Sequence, residues 1–199
     1  MTTKNAFSNQ IENRNYLSPT GFKFSINRAP KVSFFCNSAN IPSLTLDVAS
    51  QPTRLGRVIP QPGTRVEFGD LTINFLVDEY LENYMELQTW IRGLGFPENS
   101  DQYSQLSQFN YNDIELESSS ATLEILTSKS NPQAKVNFVG IFPYDLSTLE
   151  FDATNPDVQY FTANASFKYT MYTITDIAGN KLWVLILNQF KKCGKKIQK

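Results

Sequence analysis

A mainly β fold, an antiparallel barrel or sandwich of about seven strands with one docked amphipathic α-helix, is what this 199-residue sequence predicts. Three observations predict it. Apolar and polar side chains alternate in several short runs, one segment instead repeats its apolar residues at threes and fours, and Pro, Gly, Asn and Ser separate the runs. With 41% hydrophobic side chains, the chain suits one domain with a real core, or one domain plus an arm.

The first strands are expected at Phe22–Ile26, Val32–Asn37 and Leu44–Val48. Gln51 to Gly63 holds three prolines, two glycines and two arginines and reads as a loop too long for a tight hairpin turn. A strand at Leu71–Val77 leads into the helix. From Asp78 to Leu94 the apolar residues Leu81, Tyr84, Leu87, Trp90, Ile91 and Leu94 fall on one side, which packs on the sheet. Asp78, Glu79 and Glu82 suit the positive end of its dipole, and Arg92 and Gly93 close it. Trp90 belongs to the core.

Gly95 to Ser120 is a polar loop, followed by strands at Thr122–Leu126 and Lys135–Val139 and a turn-rich crossing from Phe142 to Val158. The last strand, Phe161–Met171, is the clearest. Phe161, Ala163, Ala165, Phe167, Tyr169 and Met171 make a buried face, while Thr162, Asn164, Ser166, Lys168 and Thr170 make a wet one. After Thr175 the chain changes character, so the domain is placed at residues 1–175 and an extension at 176–199. The extension has a turn, an apolar run from Lys181 to Phe190, and a basic end with Lys191, Lys192, Lys195 and Lys196. It either packs on its own domain or reaches an acidic surface of a neighbouring subunit.

Chemistry is notable for what is missing. There is no histidine, which excludes Ser-His-Asp and Cys-His catalysis and most zinc sites. Cys36 and Cys193 are too few for a zinc ribbon or disulfide framework, and are expected as free thiols. Cys193 lies among lysines but has no base beside it. The carboxylates of Asp78, Glu79, Glu82 and Glu86 lie off the apolar stripe and suit a solvated face or partner contact, not an acid–base pair. No phosphate loop, dinucleotide fingerprint or calcium loop occurs. The expectation is a non-enzymatic protein without cofactor or metal. A polar start and a longest apolar run of Leu182 to Leu187 give no signal peptide and no membrane anchor, so it is expected to be soluble.

Net charge is −1, but residues 1–66 carry net +6, residues 67–126 net −11 and residues 127–199 net +4. Such segments either mix across one surface or form complementary faces for head-to-tail contacts between copies. Binding of nucleic acid by a basic stripe is disfavoured. The residues opposite the buried faces, among them Thr45, Asp47, Thr72, Asn74, Thr162, Asn164, Ser166, Lys168 and Thr170, are mostly small and neutral. That pattern fits ordinary solvent exposure, and equally a surface past which DNA must slide without sticking.

Three stretches carry a resemblance: FKFSINRAPKVSFFCNSANIPSL, RVEFGDLTINFLVDEYLENYMELQTWI and VNFVGIFPYDLSTLEFDATNPDVQYFTANASFKYTMYTI. In their order of elements, over about residues 16–174, the chain resembles the tail tube proteins of contractile-tailed bacteriophages. The resemblance implies hexameric rings that stack into a tube, conduct DNA during ejection and contact a sheath. It implies a virion protein, assembled in the host cytoplasm, with sheath and baseplate or terminator proteins as partners. Carried onto this chain, Thr72, Asn74, Thr162, Asn164, Ser166 and Lys168 would line the lumen. A helix at 79–93 with Glu79, Glu82 and Glu86 would face outward, and Thr53, Arg54, Leu55 and Arg57 would reach an adjacent ring. The polar insertion 95–120, the extension and its basic end depart from the plain pattern. A ring at the tube's end (a baseplate-proximal initiator or cap, or a terminator) is therefore the alternative to the repeating tube subunit. A soluble β-barrel module that binds protein through loop 95–120, and a sheath-type or baseplate adaptor, are the competing readings.

Overall fold

Alternating side chains build most of the sheet in the computed structural model, which describes residues 16–54, 56–95, 118–151 and 160–181. Among the described residues, nine strands and two helices run in the order β1 (Phe22–Ile26), α1 (Pro30–Phe34), β2 (Cys36–Ala39), β3 (Leu44–Pro52), β4 (Val58–Phe68), β5 (Leu71–Leu76), α2 (Glu82–Gly95), β6 (Ser119–Leu126), β7 (Pro132–Leu146), β8 (Thr162–Lys168) and β9 (Met171–Asp176). Every pairing is antiparallel. The main sheet has the order β1-β6-β7-β8-β5-β2, with β9 also on β7, and does not close; β3 and β4 form a separate two-stranded sheet. The fold is thus an open sheet curved around its core, not a sealed barrel.

β7 organises this curve. Its first residues pair with β6 on one side and β9 on the other, and its last with β8. Consequently β8 and β9 are one strand running along β7, interrupted at Tyr169–Thr170. The interruption faces Gly140, which sits at φ 67 and whose missing Cβ would stand 2.5 Å from the Thr170 hydroxyl oxygen. The extra residue lies in β7, where Val139 and Gly140 together stand against Ser120 of β6; it exchanges the two faces of β7 and of the strand beside it, whose register on β7 is unbroken there. The expected single buried face through Met171 therefore fails at that point: Met171 is exposed, while Tyr172 and Ile174 turn toward the core.

Inside the curve lie Phe24, Ile26, Val32, Ile73, Phe75, Leu87, Trp90, Val136, Phe138 and Phe167, all essentially inaccessible. Burying each such side chain contributes about 1.5–3 kcal/mol. α1 packs on β1 and α2, and α2 packs on β7. The strand expected at Val32–Asn37 is instead α1 followed by β2. Pro30 stands at the first helical position, where its missing N–H costs nothing, and the helix turns Val32 into the core.

The helix expected from Asp78 begins at Glu82. Leu81 takes a left-handed conformation, φ 59, so Asp78 and Glu79 precede the helix. Asn83, not Leu81, joins the buried stripe with Leu87, Trp90 and Gly93. Its burial is compensated: Nδ2 donates to the Leu76 carbonyl at 2.7 Å, and Oδ1 accepts from the Tyr84 and Asp78 amides at 2.8 and 3.2 Å. Trp90 is in the core as expected, with the Arg28 guanidinium 5.1 Å from its ring centroid.

Candidate assembly surface

The residues read as the loop Gln51–Gly63 form the outer half of a long hairpin. β3 and β4 pair from Leu44↔Phe68 to Pro52↔Val58, about 30 Å of strand. The turn itself is confined to Thr53–Arg57. There the Thr53 amide donates to the Arg57 carbonyl at 2.9 Å, the Gly56 amide donates back to Thr53 at 3.1 Å, and Gly56 supplies φ 77. Arg54 and Arg57 are exposed at this tip, Thr53 is half-buried beneath it, and Leu55 lies outside the described residues.

One face of the hairpin is apolar and uncovered. Leu44, Leu46 and Val48 share it with Phe68, Val66, Pro62, Pro60 and Val58 across the ladder, while Thr45, Asp47, Arg65 and Glu67 take the opposite face. Leu44 and Val48 are each 60% exposed and Val66 47%. Halfway along, Asp47 alone faces Gly63 to Arg65, because the register jumps between Leu46 and Val48. A Cβ on Gly63 would stand 2.6 Å from the Asp47 carbonyl oxygen, so only glycine lets the strands meet there.

Its root is fixed to the body. Asn40 donates through Nδ2 to the Asp70 carbonyl at 3.0 Å and accepts from the Thr72 amide at 2.7 Å, while the Gly69 amide donates to Ser43 at 2.9 Å. From the other side Tyr169 and Tyr172 reach the Gly69 and Pro42 carbonyls, and the Phe68 ring packs against both tyrosines at 6.1 and 5.5 Å. The arm's apolar face thereby runs into the aromatic edge of the core.

Beside this root lies the polar face. Thr72 pairs with Ser166, Asn74 with Asn164 and Leu76 with Thr162, so the six residues Thr72, Asn74, Thr162, Asn164, Ser166 and Lys168 are brought onto one side of β5 and β8. Buried Leu71, Ile73, Phe75, Ala163, Ala165 and Phe167 alternate with them. The Oδ1 of Asn74 is buried and has no hydrogen-bond partner among the described residues. Lys168 pairs with Asp70, whose other oxygen accepts from the Tyr144 hydroxyl at 2.6 Å. Asp70 and Tyr144 were not singled out by the sequence, since no local spacing links them to Lys168.

The three carboxylates assigned to the outer helix separate. Glu79 is exposed ahead of it, and Glu82 pairs with Lys31 of α1 at 2.5 Å. Glu86 is only partly solvated: it is half-buried against the start of α1, facing the backbone amides of Lys31 and Val32, where α1 has no side-chain cap of its own. Burial pushes its carboxyl above the ordinary glutamate value, and its Oε2 has no hydrogen-bond partner among the described residues. Lys191, Lys192, Lys195 and Lys196 lie outside the described residues, as does most of the 95–120 loop.

The described residues thus form an open sheet with an arm whose apolar face none of them covers. The chain belongs to the phage tail tube protein family, whose profile matches residues 2–175. Among curated proteins, the tail tube terminator protein of Enterobacteria phage T4 is 27% identical over 167 residues, covering 80% of this chain and 89% of that one. Among solved structures, the anti-feeding prophage tube terminating cap has a TM-score of 0.54 at 14% identity, covering 86% of this chain and 99% of that one. The sheath–tube complex of the PVC extracellular contractile injection system, in its extended state, has a TM-score of 0.52 at 14% identity, with 82% and 94% covered. Both are likenesses of fold.

Proposed function

We propose that this chain is a non-enzymatic structural subunit of the ring that ends a phage tail tube, in preference to the repeating tube subunit. The observation that carries this is the match to the phage T4 tail tube terminator over 80% of this chain and 89% of that one. In this reading copies close into a ring, hexameric as the family resemblance implies, by laying the apolar face of each hairpin on a neighbour. Burial of that face supplies non-directional free energy, and the charged segments select the orientation. The polar face of β5 and β8 looks onto the channel through which DNA leaves the virion. Arg54 and Arg57 at the hairpin tip meet the adjoining ring, and Glu79 and Glu82 face outward toward sheath. Residues 1–175 act as the ring domain, and residues 176–199 as an extension toward a tail partner.

Mass photometry and negative-stain microscopy of the purified chain, alone and with preformed tail tubes, test this. Expected are single rings, or subunits that form one ring at a tube end and stop. Long tubes grown from this chain alone would establish the repeating-subunit reading instead. A monomer that never joins a tube would overturn both readings and favour the protein-binding module, whose loop lies mostly outside the described residues.

A further inference from the structure

We propose that Asp70 is a positioning residue for Lys168: together with Tyr144 it holds the one cation of the polar face in a closed cluster, so that this face does not retain nucleic acid. Lys168 is the only lysine or arginine within β2, β5, β8 and residues 142–146 of β7. A free ammonium there would be the natural anchor for phosphate, since neutralising phosphates with lysine supplies most non-specific affinity for DNA.

It is not free. Lys168 Nζ donates to Asp70 Oδ1, the Tyr144 hydroxyl donates to Asp70 Oδ2 at 2.6 Å, and Nζ also stands 5.3 Å from the Tyr144 ring centroid. Each of the three groups touches the other two. From beyond a Debye length, about 8 Å at physiological salt, a paired ammonium and carboxylate show no net charge. Hydrogen bonds from Lys168 and Tyr144 hold the Asp70 carboxyl below the ordinary aspartate value, and Asp70 in turn raises Lys168, so the pair stays ionised around neutral pH. The position of Asp70 comes from the hairpin root: its carbonyl is held by Asn40, so the bend that orients the arm also aims this carboxylate.

This inference rests on the proposed exposure of the polar face to DNA, and its test is separable from that reading. The wild-type chain, Asp70→Asn, Lys168→Gln and Asp70→Asn/Lys168→Gln are titrated with a short duplex DNA at several salt concentrations, with mass photometry on the same samples. Asp70→Asn is expected to tighten binding roughly tenfold at about 50 mM salt and to steepen the log–log salt slope by about 0.9 for each lysine freed. The double variant is expected to return to the wild-type affinity and slope. No change in Asp70→Asn would overturn the proposal. So would a gain that persists in the double variant, because it would come from the lost negative charge and not from the lysine. Absence of rings in mass photometry would count against the assembly reading and leave this comparison intact.

Discussion

Tyr169 donates its hydroxyl hydrogen to the Gly69 carbonyl oxygen at 2.8 Å, which fastens the break between β8 and β9 to the bend at the root of the hairpin. Burial, with Tyr172 and Asp70 nearby, pushes the phenol up to about 12, so the donor keeps its proton at neutral pH. Tyr169→Phe removes this bond alone. The expected cost is about 1 kcal/mol, a fall in Tm of about 2–4 °C for a domain of this size. An unchanged Tm in thermal unfolding would show that the tie bears no stability.

Val66 and Leu46 face each other on the uncovered side of the arm. Val66→Asp is expected to leave Tm almost unchanged, as substitutions at exposed positions do. Mass photometry is expected to show ring formation abolished. A large fall in Tm would mean that the face packs within its own chain.

Arg54 and Arg57 stand at the far end of the same arm. Exchanging both for Glu is expected to leave single rings intact and to stop their attachment to a tube end, scored by microscopy. Attachment at the wild-type level would remove the tip from the contact.

Glu86 gives the fold a pH dependence of definite sign. Burial raises its carboxyl above the ordinary value near 4.5 in the folded chain. The folded state therefore binds this proton more tightly than the unfolded state, and the contribution to stability falls as pH rises through and just above that value. Glu86→Gln is expected to raise Tm at pH 7 by a small amount, because solvent screens a half-buried carboxylate. That gain should disappear near pH 4, where the wild-type carboxyl holds its proton. A gain independent of pH would locate its cause outside ionisation.

Cys36 is a free thiol whose burial pushes it up to about 11. Little thiolate exists at pH 8, although the more basic thiolate is also the better nucleophile. In a Cys193→Ser background, disulfide-reagent labelling is expected to run at least about tenfold slower than for a free cysteine. Labelling at the free-thiol rate would show the site to be open.

What the sequence reveals and what it hides divide along physical lines. β1, β5 and β6 are legible because each has one face in the core and keeps strict alternation, and the same alternation brings the six polar candidates together. The hairpin arms are hidden by Pro52, Pro60 and Pro62, residues that announce a loop. A two-stranded arm tolerates them because each strand has an outer edge whose amides need no partner. α1 is hidden because five residues are too few to show a helical period. The break at Tyr169–Thr170 follows a bulge at Val139–Gly140 in another strand, and the Asp70–Lys168 pair joins residues 98 apart, so neither leaves a local pattern.

The pairing pattern also orders how the chain acquires its shape. Pro52 meets Val58 across a short turn, whereas the main sheet must join Phe22 to Ile125 and Leu71 to Phe167. Local closure loses little chain entropy and forms in microseconds, while distant strands pair late. The arm is therefore the part of the chain expected to close first, before the distant strands of the body pair. The missing amides at Pro60 and Pro62 and the register jump at Asp47 make it a poor template for further strands. The arm's edges thereby resist cross-β pairing while the rest of the chain folds.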